Sequence, residues 1–312
     1  MTLAACGRIG FGLEGPGTDA AGGSSSSDAP VSPDGTAAAW HAVATPPTTS
    51  ADLWGVYAFS TTDQWVAGTT GTIQHFTGTW TTPPSGTTNT LFMFWGSAPN
   101  NLYLVGRSCT ALLWNGSAWG PTSIPGCAGN QDLMSITGTA TSNVWASGTM
   151  GNVEQFTSSW QNRSQGNPDY WDTYSASATD AYAIGTLGTI QHWNGATMTA
   201  DTSGTTQTLA AITSPAAGEY WIVGAAGVTL HKLGAGAWTL VQAPTATFLY
   251  DVIATSPTDL WAIGSGGLIL HGDGSSWTQV TSPTTNTLRS LSKVPGGGLI
   301  AVGTAGTMIA YP

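Results

Sequence analysis

Asp259-Leu-Trp-Ala-Ile-Gly-Ser-Gly-Gly-Leu-Ile-Leu-His-Gly-Asp-Gly-Ser-Ser-Trp277 reads as the middle of a small antiparallel sheet. Leu260–Gly264 is a short apolar run of strand type, Ser-Gly-Gly breaks it, and Leu268–His271 is a second run. Asp273-Gly274 supplies the positive φ that a tight hairpin needs, and Trp277–Val280 returns as another strand. Upstream, Tyr250–Ala254 is a further strand, closed by Ser-Pro-Thr-Asp before Leu260. Four short strands with tight turns thus fill about forty residues.

The same unit recurs along the chain. Its anchor is the glycine that ends the second strand: Gly68, Gly106, Gly148, Gly185, Gly224, Gly264 and Gly303. A bulky residue stands three places earlier each time, at Trp65, Tyr103, Trp145, Tyr182, Trp221, Trp261 and Ile300. Another glycine stands three places later, except that Cys109 replaces it in the second unit. The fourth strand is marked by Trp80, Trp119, Trp160, Met198, Trp238 or Trp277. A period near forty residues, with four strands and no helix or leucine ladder, predicts an all-β, seven-bladed β-propeller of four-stranded blades.

Ring closure follows from the chain ends. The seventh unit stops after its third strand, at Pro312. The missing fourth-strand pattern stands near the other end, where Asp34-Gly35 precedes Trp40-His41-Ala42-Val43. Residues 37–44 should therefore complete the last blade, sealing the ring and leaving no unpaired edge between first and last blades. The propeller domain then spans 37–312.

Residues 1–36 read as processing sequence and tether. Leu3-Ala4-Ala5-Cys6 matches the bacterial lipobox, with Cys6 as the lipidated residue. The following stretch, rich in Gly and holding Ser24 to Ser27, cannot bury enough apolar surface to order itself. The expectation is an extracytoplasmic lipoprotein on the outer membrane or cell surface, touching the membrane through its lipid alone. The remaining cysteines, Cys109 and Cys127, fall in two loops of one blade on the same face. A disulfide between them suits an oxidising compartment, the alternative being two buried thiols.

Composition narrows function. Of 312 residues, 42 are Gly, six are Lys or Arg, and the formal net charge is −10. No basic stripe exists for nucleic acid or an anionic membrane surface, and no run of 18 apolar residues suggests a transmembrane helix. No cofactor motif is present: the repeated G-x-x-G joins strands without a following helix to face a phosphate.

The stretch Asp259 to Trp277 resembles the repeat of two related propeller groups, the photosystem II stability/assembly-factor type and the Asp-box, sialidase-type family. The resemblance covers residues 37–312 and extends to Gly/Trp-rich bacterial propeller lipoproteins. It implies the fold, and far less about function, because propellers host many activities.

A sialidase would need three arginines gripping one carboxylate. Here Arg107, Arg163 and Arg289 stand at three different repeat positions, which argues against their convergence. Asp172 and Asp251 share one position in blades four and six and form the remaining candidate carboxylate pair for a degenerate glycosidase. His75, His192, His231 and His271 all fall seven residues after an anchor glycine, which argues for a structural role. Equivalent positions in neighbouring blades lie at least ~10 Å apart, too far for one metal ion to bridge with bonds of about 2 Å. No catalytic or metal site is expected.

What varies between units is more informative. Fourteen residues before the anchors stand Trp54, Phe92, Met134, Trp171, Ala210, Tyr250 and Arg289, opening the innermost strand at the rim of the central channel. Arg107, Met150 and Leu187 approach the same face in the loops between second and third strands, and Asp172 and Asp251 lie one residue inside the rim. A fixed core beneath one varied rim suits a binding face, against the plainer reading that these side chains plug the channel. The expected protein is a monomeric, non-enzymatic module for a protein or a glycan, with a lectin as the alternative.

Overall fold

The computed structural model describes residues 38–43 and 50–312. Cys6 and residues 1–36 lie outside the described residues. Seven four-stranded antiparallel sheets form a ring, a seven-bladed β-propeller. Blade 6 shows the pattern: Leu249–Ser256 lies innermost, followed outward by Asp259–Gly264, Ile269–Gly272 and Trp277–Val280. Among the described residues no helix is long and apolar enough to cross a membrane.

The ring closes as the repeat requires. His41–Ala42 pairs with Met308–Tyr311, matching His41 to Ala310 and Ala42 to Ile309. Trp40 enters the core of this last blade, with its ring 5.6 Å from both Trp261 and Tyr311. The C-terminal sheet thus takes its outer strand from the beginning of the domain.

Blades bury both faces against their neighbours, which explains the aromatic repeat. Trp65, Trp95, Trp145 and Trp221 are among the largest fully buried side chains. The anchor glycines answer to close approach rather than to unusual dihedrals. At Gly185 the backbone is extended, yet an added Cβ would sit 2.0 Å from the Asp169 carbonyl oxygen.

The turn after each anchor places a residue in the left-handed region, and six blades use a non-glycine there: Thr70, Ser108, Met150, Leu187, Ala226 and Ala305. Blade 2 has two in succession, Ser108 and Cys109. Cys109 is bonded to Cys127, with Cα atoms 5.6 Å apart, so the disulfide stands where other blades pack a glycine against the next connection.

The repeated histidines are structural elements of the blades. His271 Nε2 lies 2.8 Å from Asp259 Oδ1, which also accepts the Trp261 indole N–H at 2.9 Å. His75 pairs with Asp63, His192 with Asp180 and His231 with Glu219 in the same way. Each ring stacks on the bulky residue of the second strand, as His75 does on Trp65 at 3.6 Å. The acid partner was legible as a correlation. Blades with Asp or Glu five residues before the anchor have His seven after it, while Asn101 and Asn143 accompany Leu113 and Gln155.

Candidate binding face

Each innermost strand begins opposite its anchor glycine, as Tyr170 pairs with Gly185. The strand starts and the turns after the anchors therefore share one face. There, Trp54, Phe92, Met134, Trp171, Ala210, Tyr250 and Arg289 come together around the channel mouth and line a shallow concavity. Below it the channel narrows between apolar side chains, with Thr137, Thr173, Thr213, Ser292, Asp172, Asp251 and Lys293 also in its lining.

The mouth is bordered by a nearly continuous arc of rings. Phe92 meets Trp54 edge-on at 5.3 Å. The Arg289 guanidinium lies 3.6 Å from the Trp54 ring and 5.6 Å from that of Tyr250. Tyr250 then contacts Phe248 at 4.5 Å, and Phe248 contacts Trp171 at 5.7 Å. Trp171 belongs to blade 4 and Phe248 leads into blade 6. The intervening blade 5 presents Ala210, whose small side chain leaves the gap that Trp171 spans. Phe248 was missed in the sequence reading. Its signal was an aromatic at a position that holds Asp52, Asp132 and Asp169 in other blades.

Those aspartates serve the ring itself. Asp52, Asp132 and Asp169 each accept, at 2.9 Å, the N–H of the left-handed residue in the preceding blade's turn: Ala305, Ser108 and Met150. The strain of each such turn is thus offset by a carboxylate from the next blade.

Asp172 and Asp251 also lie at the mouth, yet they are 2% and 3% exposed. Each innermost strand is the inner edge of its sheet, so alternate N–H groups point away from its one ladder partner. Asp172 accepts such an N–H from Ile212, which lies opposite Ile222, at 2.9 Å, and the Ser135 hydroxyl at 2.8 Å, tying blades 3, 4 and 5. Asp251 accepts the Leu291 N–H at 2.8 Å, tying blade 6 to blade 7, and its own neighbour's N–H at 2.8 Å. The geometry makes both residues clasps between blades beneath the rim rather than part of the open surface.

The three arginines do not converge. Arg163 donates to Gln155 and Gln161 in the outer part of blade 3 and stacks over Trp193. Arg107 lies outside the mouth, 60% exposed, with Nε 3.7 Å from Asp132. Arg289 is 15% exposed, and burial pulls its guanidinium below its ordinary pKa. Its nearest carboxylate oxygen, on Asp52, is 3.7 Å away. Arg289 Nε and Trp54 Nε1 are both buried without a hydrogen-bond partner. Met150 and Leu187 stand on the same face at the blade 3 and blade 4 turns, 54% and 76% exposed. Among the described residues no group of three His, Cys, Asp or Glu is arranged to hold a metal ion.

No family model matches the chain, and no curated protein matches it. Solved structures do. YCF48 from Cyanidioschyzon merolae superposes with a TM-score of 0.71 at 15% identity, covering 88% of this chain and 98% of that one. A structure of YCF48 bound to D1 peptide gives 0.71 at 16% identity, with 87% and 96% covered. A catalytically inactive virginiamycin B lyase from Staphylococcus aureus, with quinupristin, gives 0.77 at 10% identity, with 88% and 99% covered. At these identities the likeness is one of fold.

Proposed function

We propose that this protein is a non-enzymatic binding module that holds an extended peptide segment of a partner protein at the channel mouth. The observation that carries this reading is the arc of Trp54, Phe92, Tyr250, Phe248 and Trp171 on one face, in a ring whose other repeated positions serve packing. Aromatic side chains give large contact area at small entropic cost and dominate many recognition surfaces. The exposed Met150 and Leu187 add apolar contacts over blades 3 and 4 of the same face.

The fold alone does not choose a function, since both a peptide-bound protein and a lyase share it. The mouth favours binding over hydrolysis because its two buried carboxyl groups, on Asp172 and Asp251, are engaged by backbone N–H groups. The lipobox at Leu3-Ala4-Ala5-Cys6 and the Cys109–Cys127 pair support display outside the cytoplasm on a lipid tether.

Affinity capture with the full chain and with Trp171→Ala tests the proposal. A stoichiometric protein partner recovered by the parent and lost in the variant supports it. Binding to a glycan array that Trp171→Ala abolishes, with no protein partner, would favour a lectin instead. Turnover of glycosides would overturn the non-enzymatic assignment. Mass spectrometry of the mature N-terminus tests lipidation at Cys6.

A further inference from the structure

We propose that Arg289 is the anchor of the mouth, and that it takes a carboxylate carried by the bound peptide. The inference rests on the peptide-binding reading above and names what that peptide must present.

The argument starts from which polar groups at the mouth lack partners. The carboxyl oxygens of Asp172 and Asp251 accept backbone N–H and hydroxyl groups. Asp52 Oδ1 accepts the Ala305 N–H. Three atoms there are buried without a hydrogen-bond partner: Arg289 Nε, the indole N–H of Trp54 against which Arg289 lies, and the hydroxyl of Ser290 at the repeat position of Asp172 and Asp251. These buried atoms are closed to a ligand, so what the mouth offers is the outer edge of the Arg289 guanidinium, 15% exposed and without a hydrogen bond among the described residues. A ligand that complements that donor edge must bring an acceptor.

The guanidinium itself narrows the acceptor. Arg163, by contrast, is held by Gln155 and Gln161, and Arg107 is open to water. Arg289 makes no hydrogen bond among the described residues, and its one ion pair is 3.7 Å long. Desolvating a guanidinium without hydrogen bonds opposes folding, and the long Asp52 pair and the ring contacts with Trp54 and Tyr250 leave its hydrogen-bonding capacity unused. Its planar fork fits two carboxylate oxygens at once. The close contact of the guanidinium with the Trp54 ring, at 3.6 Å, restricts that fork before any ligand arrives. The aromatic arc then accepts apolar residues flanking the acid.

A random heptapeptide library with free C-termini, selected on the full chain, tests the proposal. Selected peptides are remade as found, with a C-terminal amide, and with Asn or Gln for each Asp or Glu. An oligogalacturonate serves as the competing acidic sugar. Binding is titrated against the parent, Arg289→Met, Arg289→Lys and Trp171→Ala, and the thermal midpoint of each protein is measured.

The expected result is that one neutralised form binds at least tenfold more weakly. Loss on amidation identifies a terminal carboxylate, and loss on Asn or Gln identifies a side-chain acid. Arg289→Met should bind the acidic and neutral forms alike, and Arg289→Lys should fall between it and the parent. Arg289→Met should also melt at the parent's temperature or above it, because a largely buried charge that makes no hydrogen bond is replaced by an apolar side chain that keeps the contact with Trp54. Acidic and neutral forms that bind the parent equally, yet fail on Trp171→Ala, would overturn the carboxylate anchor and leave the peptide reading intact. Selected peptides indifferent to Trp171→Ala, or none at all, would overturn both. Oligogalacturonate binding that needs Arg289, without any peptide, would overturn the peptide as its source. A midpoint lowered by several degrees in Arg289→Met, with affinities unchanged, would make Arg289 a packing residue.

Discussion

The Asp172 carboxyl group accepts the backbone N–H of Ile212, in the next blade, at 2.9 Å. This bond answers a need of every innermost strand. As the inner edge of its sheet the strand points alternate N–H groups away from its one ladder partner, and here a neighbouring blade supplies the acceptor. Ser135 does the same for Thr173, and Asp251 for Leu291. Adjacent blades are thus joined by directed hydrogen bonds as well as by apolar packing.

Removing that acceptor should be costly and graded. Asp172→Ala leaves the Ile212 N–H buried without a partner, which costs about 1–3 kcal/mol. Asp172→Asn keeps an amide oxygen for the same N–H and should lose less. Urea denaturation of the two variants checks the order, and equal midpoints for Ala and Asn would refute it.

Acid should weaken the blades through two of the histidine pairs. Burial alone would raise the Asp180 carboxyl, but hydrogen bonds from His192 and Tyr220 outweigh it and hold the group below its ordinary value. At Asp259 the opposing bonds come chiefly from His271 and Thr255, with the same net direction. A carboxyl group with a lowered folded pKa contributes stability above its unfolded value, near 4, and loses it as pH falls through the folded value. The thermal midpoint should therefore drop as pH falls from 4 toward 2, and less steeply in Asp259→Asn. Burial raises Glu154, so its protonation favours the fold as pH falls through that raised value to the ordinary one near 4.5, above the range in which Asp180 and Asp259 act.

The Cys109–Cys127 bond closes a loop with a sequence separation of 18. The loop-entropy account gives about 3 kcal/mol for such a link. Cys109→Ser with Cys127→Ser, or treatment with dithiothreitol, should lower the denaturation midpoint accordingly. An unchanged midpoint after confirmed reduction would show that the loop is held by packing alone.

Leu187 holds a left-handed backbone with φ 56° while 76% exposed. A non-glycine residue there costs about 1–2 kcal/mol, and glycine avoids it at some entropic expense. Leu187→Gly should thus stabilise the protein by about 0.5–1 kcal/mol. The same variant should weaken partner binding, if this apolar side chain serves the face. By contrast, Gly185→Ala forces a Cβ to 2.0 Å from the Asp169 carbonyl oxygen and should fail to reach native stability. Calorimetric melting of both variants separates conformational strain from steric exclusion.

Much of the architecture could be read from the chain because a propeller repeats its local rules. Hydrophobic alternation, Gly turns and the −3 aromatic recur in register, so each unit corroborates the others. Even ring closure was legible, since Trp40 to Val43 carries the fourth-strand pattern that the last unit lacks. The rim positions were legible as variation at one repeat position, and they do meet at one mouth.

What only the tertiary structure decided was the use of polar groups between blades. Asp172 and Asp251 looked like open channel carboxylates, but a partner N–H some forty residues away engages them. Phe248 joined the arc because Ala210 lets Trp171 reach across a blade. Arg289 became distinct from Arg163 through its missing hydrogen bonds and from Arg107 through its burial against Trp54. Periodicity within a blade is a local property of the sequence, set by backbone sterics and burial of alternate side chains. Contacts across blades depend on the angle and spacing of whole sheets, which no single repeat encodes.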